Sequence, residues 1–289
     1  MIQGVSSGSS SGILGRLVAT LLSKELGRSI VVENMAGAGG TLGMSVASKA
    51  APDGYTLVML TQAQAVSETL YDKLSYRLME DFQPITQIAT GFYILAIHPS
   101  LPAKTMKEFI ALAKSKPGQM NYGSSGNGTG THLAAALFTA KGGLEVTHIP
   151  YKGTSPGLVD FLAGKVQMYV LAVPSSKPLI KAGKIRAIGM TASKRSSDFP
   201  DLPAIAEVFP GYEMTNWQGI AAPTGTPRPI IDTVRNATIR ALSSPEAREK
   251  FEELGADIET STPEQFRAYI KSQVAVFGEA IKASGAKVD

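Results

Sequence analysis

Two stretches of this chain carry residue types that hold an anion without a cationic side chain. In each, a short strand runs into a Gly/Ser-rich loop that opens directly into a helix. The first reads Ile2-Gln3-Gly4-Val5, then Ser6-Ser7-Gly8-Ser9-Ser10-Ser11-Gly12, with the helix expected from Ile13. The second reads Met120-Asn121-Tyr122, then Gly123-Ser124-Ser125-Gly126-Asn127-Gly128-Thr129-Gly130, with the helix expected from about Thr131. Such a loop aims backbone N–H groups and hydroxyls from the positive end of a helix dipole. Two of them suggest one small anion held between two halves of the chain. A helix terminus contributes only about 0.3–1 kcal/mol, up to ~2 when partly buried. Micromolar affinity requires about 8 kcal/mol. Charge-assisted hydrogen bonds from several N–H and Ser/Thr donors must therefore supply most of it.

Other motifs point to less. The second loop has P-loop glycine spacing at Gly123 and Gly128, but Thr129 and Gly130 stand where Lys and Ser/Thr belong, which argues against a nucleotide. Gly37-Ala38-Gly39-Gly40-Thr41-Leu42-Gly43 misses the dinucleotide fingerprint and reads as a turn that lets a helix pack closely on a strand. His98, His132 and His148 are the only histidines, and none is spaced with another for a metal. His132 can serve a loop serine as a base or simply orient the loop, and the second is the expectation. No nucleophile elbow with partners in order is present. Thr61 and Gln62 end one strand, Ala172 and Val173 end another, and Tyr151-Lys152-Gly153 follows a third. All are candidates to line a ligand cleft. Lys152 either faces the ligand or pairs across domains, and Trp217 either lines the cleft or packs at the hinge.

The elements that must position these loops alternate. Strands are expected at 30–33, 55–60, 92–97, 146–149, 166–171, 185–189 and 218–222. Ile13, Leu14, Leu17, Val18, Leu21 and Leu22 form an apolar stripe at helical spacing. Thr105 with Glu108 reads as a capping box, Ser155-Pro156 as a helix start, and Thr262-Pro263-Glu264-Gln265 as the start of the last helix. Alternation of this kind predicts an α/β protein with parallel sheets and crossover helices. Pro-bounded turn chemistry after Ile97 and the segment around Trp217 mark changes of domain. The expected division is 1–98 with 218–289 against 99–217.

Composition narrows the partners. With 44% hydrophobic and 18% charged residues, the 289-residue chain can build a real core. The balance of 28 Lys+Arg and 24 Asp+Glu, without long like-charge runs, leaves no nucleic-acid footprint. Zero cysteines exclude disulfides and thiolate metal sites. No apolar stretch approaches the ~20 residues of a membrane span. A strand expected from Ile2 leaves no room for a signal peptide, so an exported protein would have lost its presequence.

Glu33-Asn34-Met35-Ala36-Gly37-Ala38-Gly39-Gly40-Thr41-Leu42-Gly43, followed by Ala50-Ala51-Pro52-Asp53-Gly54-Tyr55-Thr56-Leu57, resembles the Bug family, the extracytoplasmic receptors of tripartite tricarboxylate transporters. The likeness continues through His98-Pro99-Ser100-Leu101-Pro102, Gly126-Asn127-Gly128-Thr129-Gly130-Thr131-His132-Leu133-Ala134, Pro150-Tyr151-Lys152-Gly153 and Ala221-Ala222-Pro223-Thr224-Gly225-Thr226-Pro227. It implies a type II periplasmic-binding-protein (Venus-flytrap) fold of two α/β domains joined by two crossing strands. It also implies a periplasmic, monomeric, non-enzymatic receptor for a di- or tricarboxylate or aromatic acid, working with membrane transporter subunits and no cofactor. Sensing for a membrane signalling partner, or Ser/His catalysis, are the alternatives. By position, the ligand contacts would be Ser6, Ser7, Ser9, Ser10 and Ser11 on one side and Gly123, Ser124, Asn127, Gly128 and Thr129 on the other, partly through water. The chain departs from the family where Val5 replaces an aromatic, Ser9, Ser10 and Ser11 replace Gly and Thr, and Gly12 replaces an acid. Loss of that acid suits an anion and argues against an amino acid, whose ammonium needs a partner.

Overall fold

The computed structural model describes all residues except Ser6, Gly8, Ser9, 36–39, Asp72, Lys152 and 287–289. The chain divides into two units, 1–90 with 217–275 and 91–216 with 276–289. The first junction thus follows Thr90 rather than residue 98, because Tyr93–Ile97 is a strand of the second sheet. The chain also passes between units a third time, within its last helix, where the sequence suggests two crossings.

The first unit holds β1 (Ile2–Gln3), α1 (Ser10–Leu26), β2 (Glu33–Asn34), α2 (Thr41–Ala47), β3 (Val58–Thr61), α3 (Gln62–Leu70), α4 (Leu78–Asp81) and β4 (Phe82–Thr90). The second adds β5 (Tyr93–Ile97), α5 (Met106–Ser115), β6 (Met120–Ser124), α6 (Gly130–Gly142), β7 (Val146–Pro150), α7 (Thr154–Leu162), β8 (Met168–Ala172), α8 (Val173–Lys181) and β9 (Arg186–Met190). The chain then returns with β10 (Gln218–Pro223), α9 (Arg228–Leu242), α10 (Pro245–Glu253), β11 (Asp257–Ile258) and α11 (Pro263–Ser284).

Both sheets are mixed, not parallel as expected. The first has the order β11-β4-β10-β3-β1-β2, and the second β7-β6-β8-β5-β9. Parallel pairs occur where a helix connects strands, as for β1 with β2 and β3 and for β6 with β7 and β8. β10 runs antiparallel to β3 and β4, and β5 antiparallel to β8 and β9. β5 and β10 are each the first strand after the chain enters a unit, so no crossover helix sets their direction.

β4 is a strand that pattern reading misses. It contains Pro84, which normally argues against a strand paired on both sides. The ladder with β10 shifts register between Ile220 and Ala221, where Ala221 faces Pro84, and this irregularity accommodates the missing N–H.

The predicted stripe of α1 packs as expected except at Ile13, which is exposed, and at Leu17, which is only partly buried. Leu14, Val18, Leu21 and Leu22 are buried in one cluster with Ile231, Val234, Ala237 and Ala241 of α9. α6 is different, since its residues Thr131–Thr139 are buried on every side. A helix apolar all round belongs inside a domain. Phe138 stacks on Phe109 of α5 with centroids 6.3 Å apart, and the Tyr212 hydroxyl donates to the Ala134 carbonyl at 2.8 Å. The Thr105 cap forms, its hydroxyl accepting from Glu108 N, although the Glu108 carboxylate reaches back to Lys104 N. At α11 the full reciprocal box is present between Thr262 and Gln265.

Trp217 is wholly buried, edge-on to Phe266 and Tyr269 of α11. The neighbouring Gly219 makes room for this packing, because a Cβ there would stand 2.2 Å from Phe266 Cζ and 2.9 Å from the Thr86 carbonyl. Gly219→Ala is therefore expected to cost about 1–3 kcal/mol by overpacking. Tyr212→Phe, which removes one buried hydrogen bond but no volume, should cost about 1 kcal/mol. Urea unfolding of both variants checks the order, with Gly219→Ala equal to or worse than Tyr212→Phe.

Candidate functional site

The second Gly/Ser loop is built between a parallel strand pair and a buried helix. β6 pairs in parallel with β7, setting Tyr122 beside His148 and Ser124 beside Pro150. The Ser124 carbonyl accepts from Tyr151 N and the Ser125 carbonyl from Gly153 N, which ties the loop to the chain leaving β7. Gly126 (φ 132°) and Gly128 (φ 71°) lie in backbone regions that L side chains rarely adopt. Thr129 then caps α6, its hydroxyl accepting from His132 N.

Most of the loop's hydroxyls are spent inside it. Ser124 is fully buried, and its Oγ accepts from Gly126 N at 3.2 Å and lies 2.7 Å from His148 Nε2. Thr129 Oγ1 donates to the Gly126 carbonyl at 2.8 Å. Ser125 N donates to Thr131 Oγ1, and Ser125 Oγ lies 2.9 Å from the same oxygen. Gly128 N donates to His132 Nδ1 at 3.1 Å. Among the described residues this leaves the N–H groups of Asn127, Gly130 and Thr131 without a bonded acceptor, at the entry of a 13-residue helix. These amides, rather than the serine hydroxyls, are the donors the loop can offer an anion.

Behind the loop three rings stack. His132 and His148 lie 3.9 Å apart at 7°, and Tyr122 lies 4.8 Å from His148 at 18° and 6.4 Å from His132 at 19°. Burial holds both imidazoles neutral, lowering each to about 4, and for His132 the neighbouring His148 adds to the effect. Burial likewise pushes the Tyr122 hydroxyl upward. The two stacked imidazoles behind the loop are thus uncharged at neutral pH. Sequence reading picks out His132 as the residue that orients the loop, and Gly128 N is bonded to it. It passes over His148, which no spacing rule links to His132 and which only the β6–β7 register brings alongside.

The first loop sits in the other unit, at the end of β1. Ser6 and Ser9 lie outside the described residues. α1 starts at Ser10, three residues earlier than expected, so Ser10, Ser11 and Gly12 form its first turn instead of belonging to the loop. A cation does reach this loop. Arg16, on α1, donates to the Ser7 carbonyl, and its other nitrogen lies 3.5 Å from Asn34 Oδ1, while Asn34 Nδ2 donates to the Val5 carbonyl. Gly4 and Gly40 touch backbone to backbone, since a Cβ on Gly4 would stand 2.5 Å from the Gly40 carbonyl oxygen. A Cβ on Gly43 would stand 3.3 Å from Gly4 Cα, so the described part of that glycine segment does pack a helix closely on a strand.

The remaining candidates are placed as follows. Thr61 is buried and caps α3, with Gln64 Oε1 accepting from Thr61 N at 2.7 Å, and Gln62 is the first, half-buried residue of that helix. Gly123 is buried against the Tyr169 ring, 2.6 Å from where its Cβ would lie. Asn127 is exposed at the loop tip. The Tyr151 hydroxyl donates to Asp160 Oδ2 at 3.0 Å, and Lys165 holds the other Asp160 oxygen, so this tyrosine is anchored within its own unit. Ala172 and Val173 are half-buried at the β8–α8 junction, with Val173 packed on the unit's core. Trp217, being fully buried, lines no surface. Among the described residues no group of three potential ligands could hold a metal, and no helix is long and apolar enough to cross a membrane.

Comparison with known proteins agrees with this architecture. The chain is 32% identical to the protein BugT of Bordetella pertussis, the alignment spanning 97% of this chain and 87% of that one. A Rhodopseudomonas palustris protein solved with adipate superposes with a TM-score of 0.79 at 33% identity, covering 99% of this chain and 97% of its own. A second protein of that organism, MatC with bound malate, gives a TM-score of 0.76 at 28% identity, covering 97% of each chain. These neighbours and the two mixed α/β sheets identify a two-domain periplasmic-binding-protein fold. Residues 14–286 match the family described as the tripartite tricarboxylate transporter family receptor. The chain therefore belongs to the tripartite tricarboxylate transporter receptor family, the Bug or TctC solute-binding receptors.

Proposed function

We propose that this protein is an extracytoplasmic receptor that binds a small organic dicarboxylate and delivers it to membrane transporter subunits, without chemical turnover. The observation that carries the reading is the entry of α6, where three backbone N–H groups remain open while every nearby hydroxyl and imidazole is satisfied or neutral. A carboxylate suits such donors, because charge-assisted bonds to an anion are roughly twice as strong as neutral ones. The relatives solved with adipate and malate support a dicarboxylate of four to six carbons. The missing acid at Gly12 supports a ligand without an ammonium group.

One contact favours a second reading. Ser124 Oγ and His148 Nε2 have the spacing of a nucleophile and its base. Ser124 is, however, fully buried, and no carboxylate among the described residues orients His148. The receptor reading therefore accounts for more of the site.

Titration calorimetry with succinate, malate, adipate, citrate and benzoate tests the proposal. At least one dicarboxylate is expected to bind with micromolar or better affinity and to be recovered unchanged. Asn127→Trp, at an exposed position, should leave the melting temperature within error while weakening that ligand at least 30-fold. Absence of binding across the panel, or an unaltered affinity in Asn127→Trp, would overturn the assignment of the site.

A further inference from the structure

We propose that His132, backed by His148, is the positioning residue of the second Gly/Ser loop, holding the amide array in its anion-accepting shape through an imidazole nitrogen that must stay unprotonated. This deepens the receptor reading above and rests on it for the identity of the ligand. The hydrogen bond decides the tautomer. Gly128 N donates to His132 Nδ1 at 3.1 Å, so Nδ1 carries a lone pair and the ring proton sits on Nε2. His132 is 2% exposed, and its Nε2 has no hydrogen-bond partner among the described residues. A buried imidazole that leaves its own N–H unpaired accepts that cost for the sake of the bond at the other nitrogen.

Gly128 is where the loop is least able to hold itself. Its φ of 71° lies in the left-handed region, and it stands between Asn127 and the cap residue Thr129. Fixing its amide fixes the direction of the open N–H on Asn127 before it and of Gly130 and Thr131 after it. The ring plane is fixed in turn by the stack, with His148 3.9 Å away and nearly parallel, and His148 itself held by Ser124 and Tyr122.

Protonation of His132 would place a second hydrogen between Nδ1 and the Gly128 amide, turning an attraction into a donor–donor clash. The titratable groups packed on His132 are His148 of β7 and Tyr122 of β6, and Tyr212 bonds α6 two residues farther on at Ala134. None is a carboxylate that could stabilise the cation, and a charge on His148 opposes it. Loop geometry is therefore stable across neutral pH and lost only under acid.

The test uses the full chain and three variants. Asn can present Oδ1 where His132 presents Nδ1, so His132→Asn keeps the acceptor but cannot be protonated. His132→Leu removes the acceptor, and His148→Gln keeps a polar partner for Ser124. In the ligand-free protein, nitrogen NMR is expected to show His132 as the Nε2–H tautomer at pH 7. The Gly128 amide signal should follow His132 titration in the parent chain and stay flat in His132→Asn. For binding, adipate and malate serve as probes. At pH 7, His132→Asn should bind within about threefold of the parent and His132→Leu at least 30-fold more weakly, and His148→Gln, which loses the ring stacked on His132, should fall between the two. Between pH 7 and 3.5 the parent should lose about fourfold in affinity relative to His132→Asn, a ratio from which ligand protonation cancels. A proton on Nδ1 at pH 7, a Gly128 amide indifferent to His132→Leu, or equal affinity in the Leu and Asn variants would overturn the inference. If no member of the panel above binds while the NMR behaviour holds, the receptor reading fails and the role of His132 in the loop stands.

Discussion

The helix α6 is buried from Thr131 to Thr139, and this constraint organises the second unit. Side chains at its entry take partners within the loop, because an unmade hydrogen bond in a dry interior costs more than a made one returns, while the half-exposed backbone beside Asn127 is left open. Ser124, Ser125, Thr129, Thr131 and His132 meet that demand by bonding one another and the loop backbone. Residues that look in sequence like a row of ligand donors are thus mostly structural. What stays open is the backbone itself, three amides at the positive end of a helix dipole.

The first unit solves a related problem differently. Its helix α1 is amphipathic, with one face packed in the core. There the loop backbone is held by a long side chain, Arg16, reaching back to the Ser7 carbonyl, and by Asn34 on the adjacent β2. The close approach of Gly4 and Gly40 binds the end of β1 to the start of α2 with no side chain between them. Glycine is required at both positions for that contact, and at Gly40 also for its φ of 93°.

How much of this was legible depended on whether the signal was local. Most of the α1 stripe, the Thr105 and Thr262 caps and six of the seven expected strands could be read from periodicity and turn chemistry, because each is specified within a dozen residues, while the expected strand at 30–33 meets β2 only at Glu33. β4 could not, since Pro84 and its alternating Gln and Thr residues resemble a loop until β10 and β11 pair on either side. The direction of β5 and β10 was equally hidden, as alternation of strands and helices implies parallel sheets wherever the chain stays in one unit. Trp217 could have lined a surface or filled a core, and Phe266 and Tyr269, about fifty residues away, settle it as core.

Sequence alone determined the class of protein and the two loop-to-helix entries. These are short-range matters of hydrogen-bond chemistry and backbone permissiveness, carried by glycine, serine and threonine at adjacent positions. Tertiary structure decided which of those residues face one another and which remain open. His148 joins His132 through a strand register, the loop hydroxyls turn inward because α6 is buried, and α1 begins at Ser10 once its stripe docks on α9. The physical reason is the same in each case. A polar group's role is set by which partners the packed core leaves within hydrogen-bond reach, and packing brings together residues that the chain keeps far apart.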